Sequence, residues 1–218
     1  MKALKYLAVV MAGLFVSVSC NGSKVKNNHI TENDTVESKD GKSIPNKKYG
    51  KILIVFFSHA GENYSVGDIK VGNTKLVANK IQEVTGGDIF EIVPVKNYDM
   101  PYNQLTEVAQ KEADDNEFPA FKVQVKDISK YDTVFVGGPI WWGTYPRVMF
   151  TFFKKYDLNG KTIIPFTTHE GSGLGSVVED LKRLYPKADV TNAFSIAGHN
   201  VRSGMKQVDE WLKKVKRE

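Results

Sequence analysis

From Lys51 the chain reads Ile52-Leu53-Ile54-Val55-Phe56-Phe57, six apolar residues in a row, and no other feature narrows the fold as far. A strand with one wet face alternates apolar and polar residues. An unbroken β-branched and aromatic run belongs instead to a strand buried on both faces, as in a parallel sheet covered by helices. Comparable runs recur at 89–93, 133–137 and 162–167, and a fifth lies near 189–196. Between them come segments of helical period. Residues 73–85 carry Leu76, Val77, Ile81 and Val84 on one face and stop at Gly86-Gly87. Further helices are predicted over about 103–114, 148–156, 174–184 and 204–216. Strands alternating with helices predict an α/β fold: three layers, a doubly wound five-stranded parallel sheet with right-handed crossovers.

The first 48 residues do not share this texture. Lys2 and Lys5 precede an apolar run from Tyr6 to Val16, then Ser17-Val18-Ser19-Cys20. A basic start, a short apolar core and small residues read as an export signal over 1–20, too short to span a bilayer. Ser19-Cys20 resembles a lipobox, although Ser17 stands where Leu is usual. Cys20 is the only cysteine of the chain, and an exported lone thiol is better explained by acylation than by a missing disulfide partner. Residues 21–48 are polar and lack aromatics, as expected of a flexible tether. The folded domain is therefore expected over 49–218, lipid-anchored in the cell envelope and facing the periplasm or the exterior. Net charge is +5, and about +3 once Lys2 and Lys5 are set aside. The cations are scattered, with no basic patch interleaved with aromatics, so no nucleic-acid partner is expected. The four histidines show no metal-ligand spacing, and no Gly-x-Ser-x-Gly elbow follows a strand, so no metal and no hydrolase nucleophile is predicted.

In an open parallel sheet, ligands bind beyond the carboxyl ends of the strands where strand order reverses. Three loops there carry unusual residues. The first begins Ser58-His59-Ala60-Gly61 and ends Gly72-Asn73-Thr74 at a helix start, an arrangement of hydroxyls and backbone N–H groups suited to an anion. The second, after the third strand, is Pro139-Ile140-Trp141-Trp142-Gly143-Thr144, with two indoles able to stack on a flat ring. The third, Thr168-His169-Glu170-Gly171-Ser172-Gly173, is polar and flexible. His169 and Glu170 are the pair closest to acid–base chemistry, but exposed loop residues without a catalytic role are the expectation.

Together these three loops, in this order and on these strand ends, resemble the flavodoxins over residues 50 to about 215. The resemblance implies strand order 2-1-3-4-5 and a noncovalent FMN site. It places the phosphate at Ser58, His59, Ala60, Asn73 and Thr74. The ring falls between Pro139, Ile140, Trp141, Trp142, Gly143 and Thr144 and, opposite, Thr168, His169, Glu170, Gly171 and Gly173. Electron transfer to an unidentified redox partner is the implied function. An NAD(P)H-dependent flavin or quinone reductase, or a binding module that has lost the cofactor, are the alternatives. Two departures stand out. Residues 62–72, with Tyr64 and Ile69, interrupt the phosphate loop and would either fold over the cofactor or project from the surface. Electron-carrying flavodoxins are also typically acidic, whereas this chain has a pI near 9.0, so their usual docking by long-range attraction to basic partners is not expected.

Overall fold

The computed structural model describes residues 49–216; the expected export signal, Cys20 and the expected tether lie outside the described residues. The elements in chain order are β1 (Ile52–Phe56), β2 (Gly61–Asn63), β3 (Gly67–Ile69), α1 (Asn73–Thr85), β4 (Asp88–Glu91) and α2 (Tyr102–Asp114). There follow β5 (Thr133–Pro139), α3 (Arg147–Lys155), β6 (Thr162–His169), α4 (Val177–Leu184), β7 (Asp189–Val190), β8 (Phe194–Ala197) and α5 (Met205–Val215). The main sheet runs β4-β1-β5-β6, with β7 and β8 both on the far side of β6 and every pairing parallel. By position this is the expected 2-1-3-4-5 order.

The apolar run of β1 feeds both faces because successive side chains alternate. Leu53, Val55 and Phe57 enter one core with Leu105 of α2, Phe152 and Phe153 of α3, and Leu181 of α4. Ile54 and Phe56 enter the other with Val77 and Ile81 of α1 and Trp211 and Leu212 of α5. Burying both faces is what an unbroken run specifies, and it yields the three layers.

Three boundaries differ from the expectations in ways that shape the site. The predicted fifth strand is two pieces: β7 pairs with Thr162 and Ile163, β8 with Phe166 through His169, and Asn192 between them has φ of 53°. Left-handed backbone breaks a strand, and Asn tolerates it better than most residues. Helix α4 begins at Val177 rather than near 174 because Gly173 and Gly175 are left-handed, with φ of 60° and 52°. Segment 62–72 is mostly a β2–β3 antiparallel hairpin, pairing Gly61 with Ile69 and Asn63 with Gly67.

Candidate functional site

The carboxyl ends of β1, β5, β6 and β8 converge on an open cleft of about 190 Å³. Its floor is the start of α1. Gly72 occupies the cap position and offers no side chain, so the Ser58 hydroxyl takes over and accepts a hydrogen bond from Lys75 N–H at 3.0 Å. A Cβ on Gly72 would overlap that hydroxyl and the His59 carbonyl. The backbone therefore passes where only glycine fits. The N–H groups of Asn73 and Thr74 open the helix with no carbonyl behind them to bond, and no acceptor among the described residues takes them. Thr74 and Thr168 share a hydrogen bond through their Oγ1 atoms at 2.8 Å, joining the floor to β6.

Arg202, beyond β8, holds this floor from the side. Its Nη1 donates to Asn73 Oδ1 at 2.9 Å and its Nη2 to the Val71 carbonyl at 3.1 Å. With Oδ1 turned to Arg202, the Asn73 amide nitrogen faces Gly198, where a Cβ would come within 2.7 Å of both that nitrogen and Glu170 Oε1. Glu170 does not pair with His169. It accepts from His199 N–H at 2.9 Å and lies 2.6 Å from His199 Nδ1, fastening the β6 loop to the β8 loop. His169 Nδ1 instead accepts from Gly171 N–H at 3.0 Å, and burial lowers its pKa against the opposing pull of Glu170.

The aromatic loop splits its two tryptophans. Trp141 meets Phe57, Tyr98 and His59 edge to face at centroid distances of 5.4, 5.4 and 5.9 Å, and lines the cleft. Trp141 and Thr144 exchange backbone hydrogen bonds around Trp142-Gly143, a two-residue turn with both φ values positive. Trp142 points away from the cleft, 56% exposed, its Nε1 donating to the Thr106 carbonyl at 3.0 Å. Gly143 and Thr144 serve α4: the Gly143 carbonyl accepts from Ser176 N–H at 2.8 Å, and the Thr144 hydroxyl donates to Asp180 Oδ2 at 2.6 Å.

Of the residues singled out from sequence, the cleft gathers His59, Asn73, Thr74, Pro139, Ile140, Trp141, Thr168, His169 and Glu170. Ser58, Ala60, Trp142, Gly143, Thr144, Gly171 and Gly173 stand outside its lining, Ser58 just beneath the floor. The hairpin adds Asn63, Tyr64 and Val66, so segment 62–72 flanks the cleft. Tyr64 stacks on Tyr102 at 5.7 Å, and Glu62 accepts from Tyr102 N–H at 2.9 Å, which secures the hairpin to the start of α2. Tyr102, Gly198 and Arg202 were missed. An aromatic just after Pro101 at a helix start was a signal for Tyr102; nothing local marked Arg202, 129 residues from Asn73.

His59 is 9% exposed, and its Nε2 is buried without a hydrogen-bond partner. Burial lowers its pKa below the ordinary 6.5, partly opposed by a backbone hydrogen bond with Glu62 and by Asp99, which favours the neutral ring. No cluster of His, Cys, Asp and Glu among the described residues could hold a metal ion. No described helix is long and apolar enough to cross a membrane.

The flavodoxin family profile matches residues 51–215. A candidate flavoprotein from Bacteroides eggerthii is 30% identical, over 73% of this chain and 98% of its own, with a TM-score of 0.55. One from Bacteroides uniformis is 29% identical over 76% and 99%, with a TM-score of 0.62. A flavoprotein from Lactobacillus acidophilus, solved in complex with FMN, is 21% identical over 74% and 98%, with a TM-score of 0.54, and shares the fold. No curated protein matches the chain significantly. The match over nearly all of the described domain, with its sheet order and its cleft at the switch point, makes this chain a member of the flavodoxin family.

Proposed function

We propose that this chain holds FMN without a covalent bond and carries out electron transfer in the cell envelope, tethered by a lipid on Cys20. One observation carries the cofactor assignment: the unpaired N–H groups of Asn73 and Thr74 open a helix at the floor of an aromatic-walled cleft. A helix start binds phosphate without a cationic side chain. The residues present fit the group. The passage at Gly72 admits no Cβ, and the buried Nε2 of His59 is left for a ligand-side partner that the protein itself does not supply.

When bound, the flavin supplies the redox chemistry. The chain's residues bind, orient and exclude water. Asn73 and Thr74 would hold the phosphate. Trp141 and Ile140 form an apolar wall, Thr168 and His169 a polar one, and Tyr64 stacked on Tyr102 narrows the mouth. An apolar wall disfavours added negative charge on a neighbouring ring and so lowers the potential at which it is reduced. The FMN complex of the Lactobacillus acidophilus relative supports the choice of flavin. The envelope location rests on the sequence pattern around Cys20 alone.

The test is titration of the full-length protein with FMN, following flavin fluorescence and visible absorbance. Saturable quenching at one site is expected. Failure of the purified protein to take up FMN would leave a cofactor-less module on this fold. Steady-state oxidation of NAD(P)H with a quinone present would instead favour the reductase.

A further inference from the structure

Trp142 occupies a costly position. A φ of 51° sets a non-glycine residue in the left-handed region, at about 1 kcal/mol or more, and leaves a large apolar ring 56% exposed. The indole is nonetheless fixed, because Nε1 donates to the Thr106 carbonyl at 3.0 Å and spans the gap between the turn and α2. Strain that the surroundings maintain at one residue is characteristic of ligand clamps. Beside the ring lies a second hollow of about 400 Å³. Leu105, Thr106 and Ala109 of α2 face Trp142 across it. Its remaining walls, Tyr102, Ile140 and Trp141, are shared with the cleft.

We propose that this slot binds a neutral, planar quinone next to the FMN cleft. The inference rests on the flavin reading above and names the acceptor class for it: the quinone would take two electrons and two protons from the reduced flavin and leave as the quinol, with the flavin returned to its oxidised form. No charged side chain lines the slot, so the phosphates of a nicotinamide nucleotide would enter unpaired, at a cost no residue there offsets. Two indole rings and a tyrosine suit a flat aromatic ligand. The Tyr102 hydroxyl has no hydrogen-bond partner among the described residues and is a donor for a quinone carbonyl. Burial, with Tyr64 second, raises its pKa and keeps that proton in place. The three shared residues put an occupant of the slot beside an occupant of the cleft, as electron exchange requires.

Equilibrium dialysis of the full-length protein, with and without FMN, against duroquinone and against the charged anthraquinone sulfonate tests this. Duroquinone is expected to bind the FMN-loaded protein, and the sulfonate at least about tenfold more weakly. Thr106→Phe, which fills the slot from a partly exposed position, should weaken duroquinone by at least about tenfold with FMN affinity unchanged. Trp142→Gly suits the positive φ, so the turn persists, and it should weaken duroquinone similarly. The proposal is overturned if duroquinone competes with FMN, if Thr106→Phe leaves its affinity intact, if the sulfonate binds equally well, or if NADH displaces it. A protein that takes up no FMN would sink the flavin reading alone. The Thr106→Phe comparison on flavin-free protein would still decide the slot.

Discussion

At the scale of single residues, the site depends on groups held where they would not settle unaided. His59 is the clearest, a ring whose burial lowers its pKa below 6.5. The unfolded chain takes up a proton near that ordinary value and the folded chain only at lower pH. In that window the unfolded state binds more protons, so stability falls as pH drops through it. Thermal unfolding measured between about pH 7.5 and 5.5 should show this decline, and His59→Gln should make it shallower. A slope unchanged by the substitution would contradict the account, since His169, shifted the same way, leaves only part of it. Arg202 acts through Asn73. Arg202→Met should weaken FMN by about tenfold and riboflavin far less, because the lost effect is on the phosphate end. Equal losses for both flavins would mean that Arg202 only braces the fold. At Gly137 a Cβ would overlap the ring of buried Phe166, so Gly137→Ala should destabilise by about 1–3 kcal/mol in chemical denaturation.

At the scale of elements, the framework was legible in the sequence because period and burial agree: unbroken runs for strands covered on both sides, one apolar stripe for each helix. The hairpin was not legible as structure. Gly61-Glu62-Asn63 and Gly67-Asp68-Ile69 carry almost no apolar pattern, and their pairing is set by glycines at φ of 92° and 85°. The loop after β8 escaped for another reason. Arg202 and Gly198 reach the site through tertiary contacts that no local pattern encodes. The split of the tryptophan pair likewise follows from a turn that needs left-handed φ at Trp142. Element packing also carries a buried charge: Glu112 of α2, 1% exposed, accepts from the Tyr98 hydroxyl at 2.9 Å and pairs with Lys96 at 2.6 Å. Tyr98 in turn packs on Trp141, so this pair ties α2 to the cleft wall. Glu112→Ala should cost about 1–3 kcal/mol, measured by urea unfolding, because the buried Tyr98 hydroxyl loses its acceptor. A loss under about 0.5 kcal/mol would show that the pair is not structurally important.

At the scale of the whole molecule, the flavodoxin framework is joined to a sequence that is basic rather than acidic, with a pI near 9.0. Such a surface does not steer toward basic partners, and it fits the proposed confinement to a membrane, where encounter is set by tethering more than by long-range attraction. In a bacterial host, Cys20→Ala should move the full-length protein from the detergent-extracted membrane fraction to the soluble one. Retention in the membrane fraction would contradict the lipid anchor and leave the flavin site untouched. The central claim is that the start of α1 binds the phosphate of FMN, and its most direct measurement compares FMN with riboflavin on the full-length protein by fluorescence titration. The account predicts FMN binding at least about tenfold tighter than riboflavin, because only FMN reaches the N–H groups of Asn73 and Thr74 with a negative charge. Equal affinities, or no binding of either, would contradict it.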